Sequence, residues 1–506
     1  MAPAGWVQAT VNGYADRRGA GFTGVSYRPD TGGERAVQGD LVRGLRRAYT
    51  KSDDSQEGLG VELTVDASGR FEAVTGRAVG WVDYPKNGFL YVPDPGRVPP
   101  DLGDEQNGPA DPRPAGDPEE AVRLLREYLE REAEQLGFPL DDPFGGWPRP
   151  LPPALLEEVE GGLNVALPAD LRALYGVVDG DEGRGIFGRL SWWLDASGLA
   201  KVHGGVRHWA PEGWRGRQFR PFVHDADPAG TVRRSVDRPG WIPFVMETDG
   251  NYLAVDMDPA AGGRPGQVIR IGPGYHQGPG YIADSVTSLL RRYVDALARG
   301  EHWIDEEGEL RIDVPEPYDR AGARGQSLRM TEDDATNTWL TRQAPYLRAL
   351  ELSRCPSADL TVLRQAPVET LSLDVKTIDL ALLSGHPTLR ALTLATAHPV
   401  ELGPLRTLPR LDGLDLSRAA TVDLSPVAEL DGLVYLALRY RQWQELWART
   451  DRLPALGAAL LTGKVSYDEV ADWTARVNAR VLAPNAADRQ GRRRIVGRYS
   501  GPQAGG

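Results

Sequence analysis

The 506-residue sequence predicts a multidomain α+β protein: a small, mostly-β N-terminal domain, a central α+β domain, and a short solenoid of repeats. Three observations predict it. The length suits three or four domains of about 100–200 residues. Hydrophobic residues make up 41% and charged residues 25%, the usage of a folded chain. A leucine triplet also recurs in the C-terminal third with a near-constant period.

Residues 1–92 carry the signals of strands. In "GLGVELTVDASGRFEAVT", apolar and polar residues alternate on both sides of Asp66-Ala67-Ser68-Gly69. That predicts a hairpin with Val61, Leu63 and Val65 on one face and Phe71 and Val74 beyond the turn. "GWVDYPKNGFLYVP" repeats the pattern around Asn87-Gly88. Residues 93–117 are rich in Pro, Gly and Asp and lack an apolar period, so they predict a linker.

The central domain is expected over 118–310. Asp117-Pro118 opens a helix, with Glu119 and Glu120 in its first turn and Val122, Leu125, Leu129 and Leu136 at helical spacing. "PPALLEEVEGGLNVALPADLRALYGVVDGDEG" reads as two helices broken at Leu167-Pro168, the second with Leu171, Leu174 and Tyr175 on one face. "WIPFVMETDGNYLAVDMDPAAGGRPGQVIRIG" alternates like a hairpin. A closing amphipathic helix lines up Val286, Leu289, Leu290, Tyr293, Val294 and Leu297, and Gly300 is placed to cap it.

Beyond a second linker, 311–338, the repeats occupy 339–440. Leu-x-x-Leu-x-Leu begins at Leu347, Leu389, Leu411 and Leu433, and Val368-x-x-Leu371-x-Leu373 supplies the copy between the first two. The starts lie 21 or 22 residues apart, the period of leucine-rich repeats. Residues 441–483 read as helical. The stretch 484–506, with five arginines against one aspartate, reads as a basic disordered tail.

Charge and cysteine content remove several function classes. The 58 basic and 71 acidic residues leave a net charge of −13, which disfavours direct binding of nucleic acid. Only five basic residues are lysines, the bias of a GC-rich bacterial genome. Cys355 is the one cysteine, so an internal disulfide and any zinc site needing two thiolates are excluded. The start has no secretory pattern, and no apolar run reaches the ~18 residues of a membrane span. The expectation is a cytoplasmic protein that needs neither a membrane nor a cofactor.

Candidate site residues follow from chemistry at short spacing. Gly272–Gly280 lies between a predicted strand and a predicted helix, as a phosphate loop would, but Pro273 and Pro279 delete two N–H donors, and a plain connection fits better. Asp179, Asp181 and Glu182 start like a calcium loop without its later ligands, so a solvated helix end fits better. Asp256 and Asp258, two apart on a predicted strand, suit a cation or a partner's arginine, and equally a polar sheet face or a turn cap. Trp192 and Trp193 read as core and rim aromatics, and because adjacent residues cannot both face inward on a strand, one of them is available as an interface anchor. With Asp249, these residues form the candidate partner-binding set. On the concave face of the repeats, Glu351, Asp374, Asp415, Tyr435 and Arg439 stand among small side chains. Asp359, Asp379 and Asp423 read as caps of the return segments. The seven histidines form no metal-binding pair and no nucleophile motif is present, so no catalytic or metal residue is assigned.

"LEEVEGGLNVALPADLRALYGVVDG" resembles the signature of the SUKH superfamily, which includes fungal Smi/Knr-type cell-wall-synthesis regulators and bacterial immunity proteins. Glu160, Leu163, Leu167-Pro168, Leu171, Tyr175 and Gly180 carry the match. Trp241-Ile242-Pro243-Phe244, Gly250 to Asp256, Asp258-Pro259, Gly266-Gln267-Val268, and then Ser285, Leu289 and Tyr293, extend it. The resemblance covers about a third of the chain. It implies an α+β domain without catalytic residues that acts by binding protein, most concretely an immunity protein neutralising a basic toxin or nuclease domain. Residues 151–310, with 23 acidic and 16 basic side chains, have the charge for such a partner. A regulatory or scaffolding adaptor is the alternative, and an enzyme with a dispersed site a remote one. The N-terminal domain and the repeats are additions to a single-domain immunity protein.

Overall fold

A computed structural model describes residues 7–16, 19–28, 59–76, 81–83, 88–94, 96–137, 146–188, 190–205, 222–306, 308–312, 314, 325–331, 344–355, 361–463, 465, 467–481 and 493–498. Two compact units emerge. One joins the two ends of the chain, Met1–Pro99 and Leu328–Gly506, and the other takes Pro100–Pro211 with Phe222–Ser327. No helix among the described residues is long and apolar enough to cross a membrane.

The first unit contains a five-stranded antiparallel sheet in the order Gly19–Arg28, Gln8–Asp16, Leu59–Asp66, Arg70–Gly76, Arg493–Arg498. The predicted turn forms as expected: Asp66 Oδ1 accepts the N–H groups of Ser68 and Arg70 at 2.8 and 3.0 Å, and Gly69 adopts φ +79°. Its last strand corrects the tail expectation, since Arg493–Arg498 pairs along Arg70–Gly76. Arginine-rich composition hid it, because sheet pairing needs a free backbone edge rather than an apolar sequence.

The second sheet of this unit has nine strands. Six are parallel: Ala349–Ser353, Thr370–Val375, Ala391–Thr396, Gly413–Arg418, Tyr435–Arg439 and Ala458–Thr462. Their register puts Leu350, Leu371, Leu392, Leu414, Leu436 and Ala459 in one buried row. Short 3₁₀ turns return the chain, two of them preceded by aspartates as predicted. Asp379 accepts from Ala381 N at 2.9 Å and Asp423 from Ser425 N at 2.9 Å, whereas Asp359 lies outside the described residues.

Leu456-x-x-Ala459-x-Leu461 is a sixth turn of the ladder. Alanine in its middle position, and the helix Tyr440–Arg449 in place of a short turn, conceal it in the sequence. The strands of the second predicted hairpin also pair, but on this sheet, with Gly88 in a strand and Asn87 outside the described residues. Gly88–Val92 pairs antiparallel with Ala458–Thr462 and with Trp81–Asp83, so the N-terminal domain does not end at residue 92 as a separate body. An open parallel edge is a template for pairing, and this strand covers it. Trp443 and Trp473, both fully buried, pack 5.8 Å apart beneath the helices Tyr440–Arg449 and Tyr467–Val481.

The second unit is built on an antiparallel sheet ordered Gly280–Ala283, Gln267–Ile271, Tyr252–Asp256, Trp241–Glu247, Ser191–Trp193. Ile242, Val245, Leu253, Val255 and Val268 pack against Leu125, Leu129, Leu171, Leu174, Leu290 and Val294 from the helices Pro118–Leu136, Ala169–Tyr175 and Val286–Ala298. The Asp117 cap is the predicted one, and Ser285 is a cap the sequence reading did not name. Asp117 Oδ1 accepts from Glu119 and Glu120 N–H at 3.0 and 3.1 Å, and Ser285 Oγ accepts from Ser288 N at 3.1 Å. Gly272–Gly280 leads into a strand, not a helix, so it is a hairpin connection with no helix N-terminus behind it.

Residues 100–117 depart furthest from expectation. They are an ordered strap, not a free linker, with a 3₁₀ turn at Leu102–Glu105. The entropy argument is sound for the segment alone, but other parts of the unit accept and donate its hydrogen bonds. Ala110 N donates to Ala261 O, and Arg264 donates to the carbonyls of Arg113 and Pro114. Asp117 N donates to Thr287 Oγ1 at 3.0 Å.

Candidate functional site

The face of the second unit's sheet turned away from its helices is the candidate site. Pairing across strands places Trp192 beside Met246, Met246 beside Tyr252, and Tyr252 beside Ile271. Cross-strand partners share a face, so these four form one apolar row. Ile271 is buried, and Trp192, Met246 and Tyr252 are half-buried. Trp193, next along the edge strand, turns into the helical side and is buried against Tyr175 and Phe187 at 5.2 and 5.7 Å. One tryptophan points in and the other out, as the pleat requires; Trp193 therefore leaves the partner-binding set.

The turn after the helix Ala169–Tyr175 supports this edge. Asp181 is fully buried, and its carboxylate accepts four backbone N–H groups: Gly183 at 3.0 Å, Trp193 at 2.8 Å, Gly185 at 3.1 Å and Ile186 at 3.2 Å. Burial still dominates and raises its pKa to about 6. Gly183 has φ +92°, and a Cβ there would meet Trp192 Nε1 at 2.5 Å, so the indole lies on this turn. Asp179, half-buried, accepts from Ala196 N at 2.8 Å. Glu182 and Asp249 are exposed, and Asp249 accepts from Asn251 N and Nδ2.

The far end of the same face is closed. Trp241, Asp256 and Gln267 stand in register, all buried. Asp256 Oδ2 accepts from Gln267 Nε2 at 2.8 Å and Oδ1 from Asp258 N at 2.9 Å; burial pushes its pKa up to about 7. Asp258 accepts from Arg233 Nε at 3.0 Å and Arg238 Nε at 2.7 Å. Asp181 and Asp256 are thus corrected from partner-binding to internal residues, and Asp258 already holds two guanidinium groups. Trp192, Glu182 and Asp249 remain at the surface, with Asp179 half-buried beside them.

Arg233, Arg234 and Arg238 have no counterpart in the sequence-based set. Arg233 and Arg234 are buried; Arg238 is half-buried. Arg233 Nη1 donates to the carbonyls of Gly103, at 2.7 Å, and Gln106. Asp170 is also new: buried, it accepts from Thr287 N and Oγ1 at 2.9 and 3.0 Å. Among the described residues, no three His, Cys, Asp or Glu side chains are grouped to hold a metal ion.

On the repeats, Glu351 pairs with Arg329 at 2.8 Å and Asp374 with Arg418 at 2.8 Å. Asp415 is half-buried and Arg439 exposed. Tyr435 does not lie open as expected. It is buried in an apolar cluster with Leu90, Val92, Val434, Ala437 and Ala458, because the closing strand Gly88–Val92 adds side chains the repeat pattern does not contain.

Comparison with known proteins places this geometry. Residues 150–292 match the SMI1 / KNR4 family (SUKH-1). A glucan synthesis regulatory protein of Neurospora crassa is 26% identical over 31% of this chain and 35% of its own. A KNR4/SMI1 homolog of Yarrowia lipolytica is 34% identical over 17% of this chain and 12% of its own. The chain thus spans about a third and about an eighth of these relatives. An internalin C2 structure from Listeria monocytogenes shares 23% identity over 21% of this chain and 56% of its own, with a TM-score of 0.16. The segment 150–292 is a SMI1/KNR4 (SUKH-1) domain.

Proposed function

We propose that this chain is a non-enzymatic, protein-binding regulator. Its SUKH-1 domain is the binding module, and the parallel ladder, a leucine-rich-repeat solenoid, is a second docking surface. The observation that carries this reading is the division of labour in the domain. The carboxylates with chemical potential, Asp170, Asp181 and Asp256, are buried and engaged by donors of their own unit, while the aromatic row around Trp192 borders exposed Glu182 and Asp249. Catalysis asks for convergent titratable groups that face a substrate; recognition asks for a half-buried apolar row with a charged rim, as here.

A regulatory adaptor fits the named relatives better than an immunity protein does, because one of them is called a glucan synthesis regulatory protein. The immunity reading keeps one supporting observation, the acidic excess of 23 against 16 in residues 151–310, which favours a basic partner. Affinity capture with the full chain tests both. Replacing Trp192 by Ala and Asp249 by Lys is expected to reduce retention of a captured partner at least about tenfold, the loss typical of an interface anchor. Retention unchanged by this double variant overturns the assignment to this face. If the retained partner is a toxin domain, the immunity reading replaces the adaptor reading.

A further inference from the structure

The strap sits on the second unit as a peptide sits on a receptor. Its sequence over the contact is Asp101-Leu102-Gly103-Asp104-Glu105-Gln106. The side chains of Asp101, Asp104 and Gln106 and the carbonyls of Gly103 and Gln106 are all read by the segment 233–238. Arg238 Nη1 donates to Asp104 Oδ1 at 3.0 Å and lies 3.9 Å from Asp101 Oδ1. Ser235 Oγ donates to Asp101 Oδ2 at 2.6 Å. Arg234 N donates to Gln106 Oε1 at 2.6 Å, and Arg233 Nη1 takes the carbonyls of Gly103 and Gln106.

Apolar and steric selection are present too. Leu102 is the one buried side chain among residues 100–117. A Cβ on Gly103 would lie 2.9 Å from Arg238 Nη1 and 3.2 Å from Arg233 Cβ, so a branched side chain there has to push these arginines back. Asp258 holds both guanidinium groups in place from below, at 3.0 Å and 2.7 Å, which fixes their donors before any peptide arrives. Such preorganised, bidentate-capable arginines are suited to acidic peptides.

We infer that Arg233, Arg234, Ser235 and Arg238 form a binding site for an acidic peptide of the Asp-Leu-Gly-Asp type, and that the strap is its occupant in cis. The site takes the matching segment of a partner protein when the strap yields. One buried side chain and a set of polar contacts hold the strap, so a competing segment has little apolar area to displace. The inference rests on the reading of this unit as a protein-binding module and names a partner chemistry for it. The site is distinct from the row around Trp192.

The test uses the full chain and a fluorescein-labelled peptide of residues 100–108. In cis, a tether of this kind acts at an effective concentration on the order of millimolar, so the unaltered chain takes up the peptide weakly. Gly103→Leu weakens only the resident strap, because the peptide keeps its glycine. It is expected to tighten peptide binding at least about tenfold by anisotropy, as release from that cis competitor requires. Adding Arg233→Gln and Arg238→Gln should abolish the gain. A folded Gly103→Leu chain that binds the peptide no better, or whose binding survives both arginine changes, overturns the inference. If Gly103→Leu fails to fold, hydrogen exchange on the unaltered chain decides. Excess peptide should speed exchange of the Gly103 and Gln106 amides, and unchanged exchange overturns the inference. Because Trp192 is not involved, failure here leaves the Trp192 capture result standing by itself.

Discussion

Asp181 and Asp256 show how a residue can be correctly singled out and wrongly placed. Each sits in an Asp-x-Asp pair, and each is buried, with its pKa raised by desolvation to about 6 and about 7. A raised carboxylate pKa means that the folded state holds the proton more tightly than the unfolded chain. Stability from these two groups is therefore full at pH near 4 and falls as pH rises, through about 6 for Asp181 and about 7 for Asp256. Asp256→Asn removes the ionisation and should flatten this decline between pH 5 and 8. At about 1.4 kcal/mol for each pH unit of displaced titration, the difference is of order a few kcal/mol. Parallel denaturant titrations of the two proteins across that range are the measurement, and equal slopes would refute the assignment. Asp181→Asn brings an amide N–H₂ toward the N–H groups of Gly185 and Ile186; at neutral pH it is expected to cost about 1–3 kcal/mol. The sequence shows a carboxylate beside a glycine-rich turn but not whether the turn closes around it. The family-signature residues are legible for the same structural reason. Glu160 accepts from Leu167 N, Tyr175 OH donates to Leu194 O, and Tyr293 OH donates to Phe187 O, all serving the fold.

Elements with local signals were the legible ones. The helix Pro118–Leu136 announces itself through Asp117-Pro118, and the hairpin at Asp66–Gly69 through four consecutive residues. The strap has no such signal, because its partners lie far along the chain: Arg233 reaches Gly103 over 130 positions. Composition alone describes residues 93–117 as a linker, and hydrogen bonds from distant residues, the buried arginines among them, reverse that reading. Arg233→Ala should leave the Asp258 carboxylate and two strap carbonyls without a major donor. A cost of about 1–3 kcal/mol is expected, as for buried acceptors that lose a donor, because Asp258 is part-exposed and keeps Arg238. Thermal unfolding of the full chain checks this, and a transition of the second unit within about 1 kcal/mol of the original would show that the strap contacts are incidental.

At the scale of the whole molecule, chain order misleads about which parts belong together. The two ends share one unit: Arg493–Arg498 completes the N-terminal sheet, and Gly88–Val92 closes the repeat ladder beside Ala458–Thr462. The repeat period was visible because leucines recur at fixed spacing. Closure was not, because the closing strand arrives more than 360 residues earlier and antiparallel. Removing residues 1–99 to isolate the repeats therefore removes the cover of a parallel edge and the apolar neighbours of Tyr435. A smaller change tests the same point. A Cβ on Gly88 would come within 2.4 Å of Leu461 O, so Gly88→Val forces the closing strand off its register. Exchange of amides in 458–462 should then rise by at least about tenfold, as expected when an edge opens locally with a cost above 1.4 kcal/mol. The pH response set by Asp181 and Asp256 lies in the other unit and should not move. Protection at 458–462 equal to that of the unaltered chain would mean that the ladder stands without its closing strand, and the two chain ends would then be neighbours without a structural role.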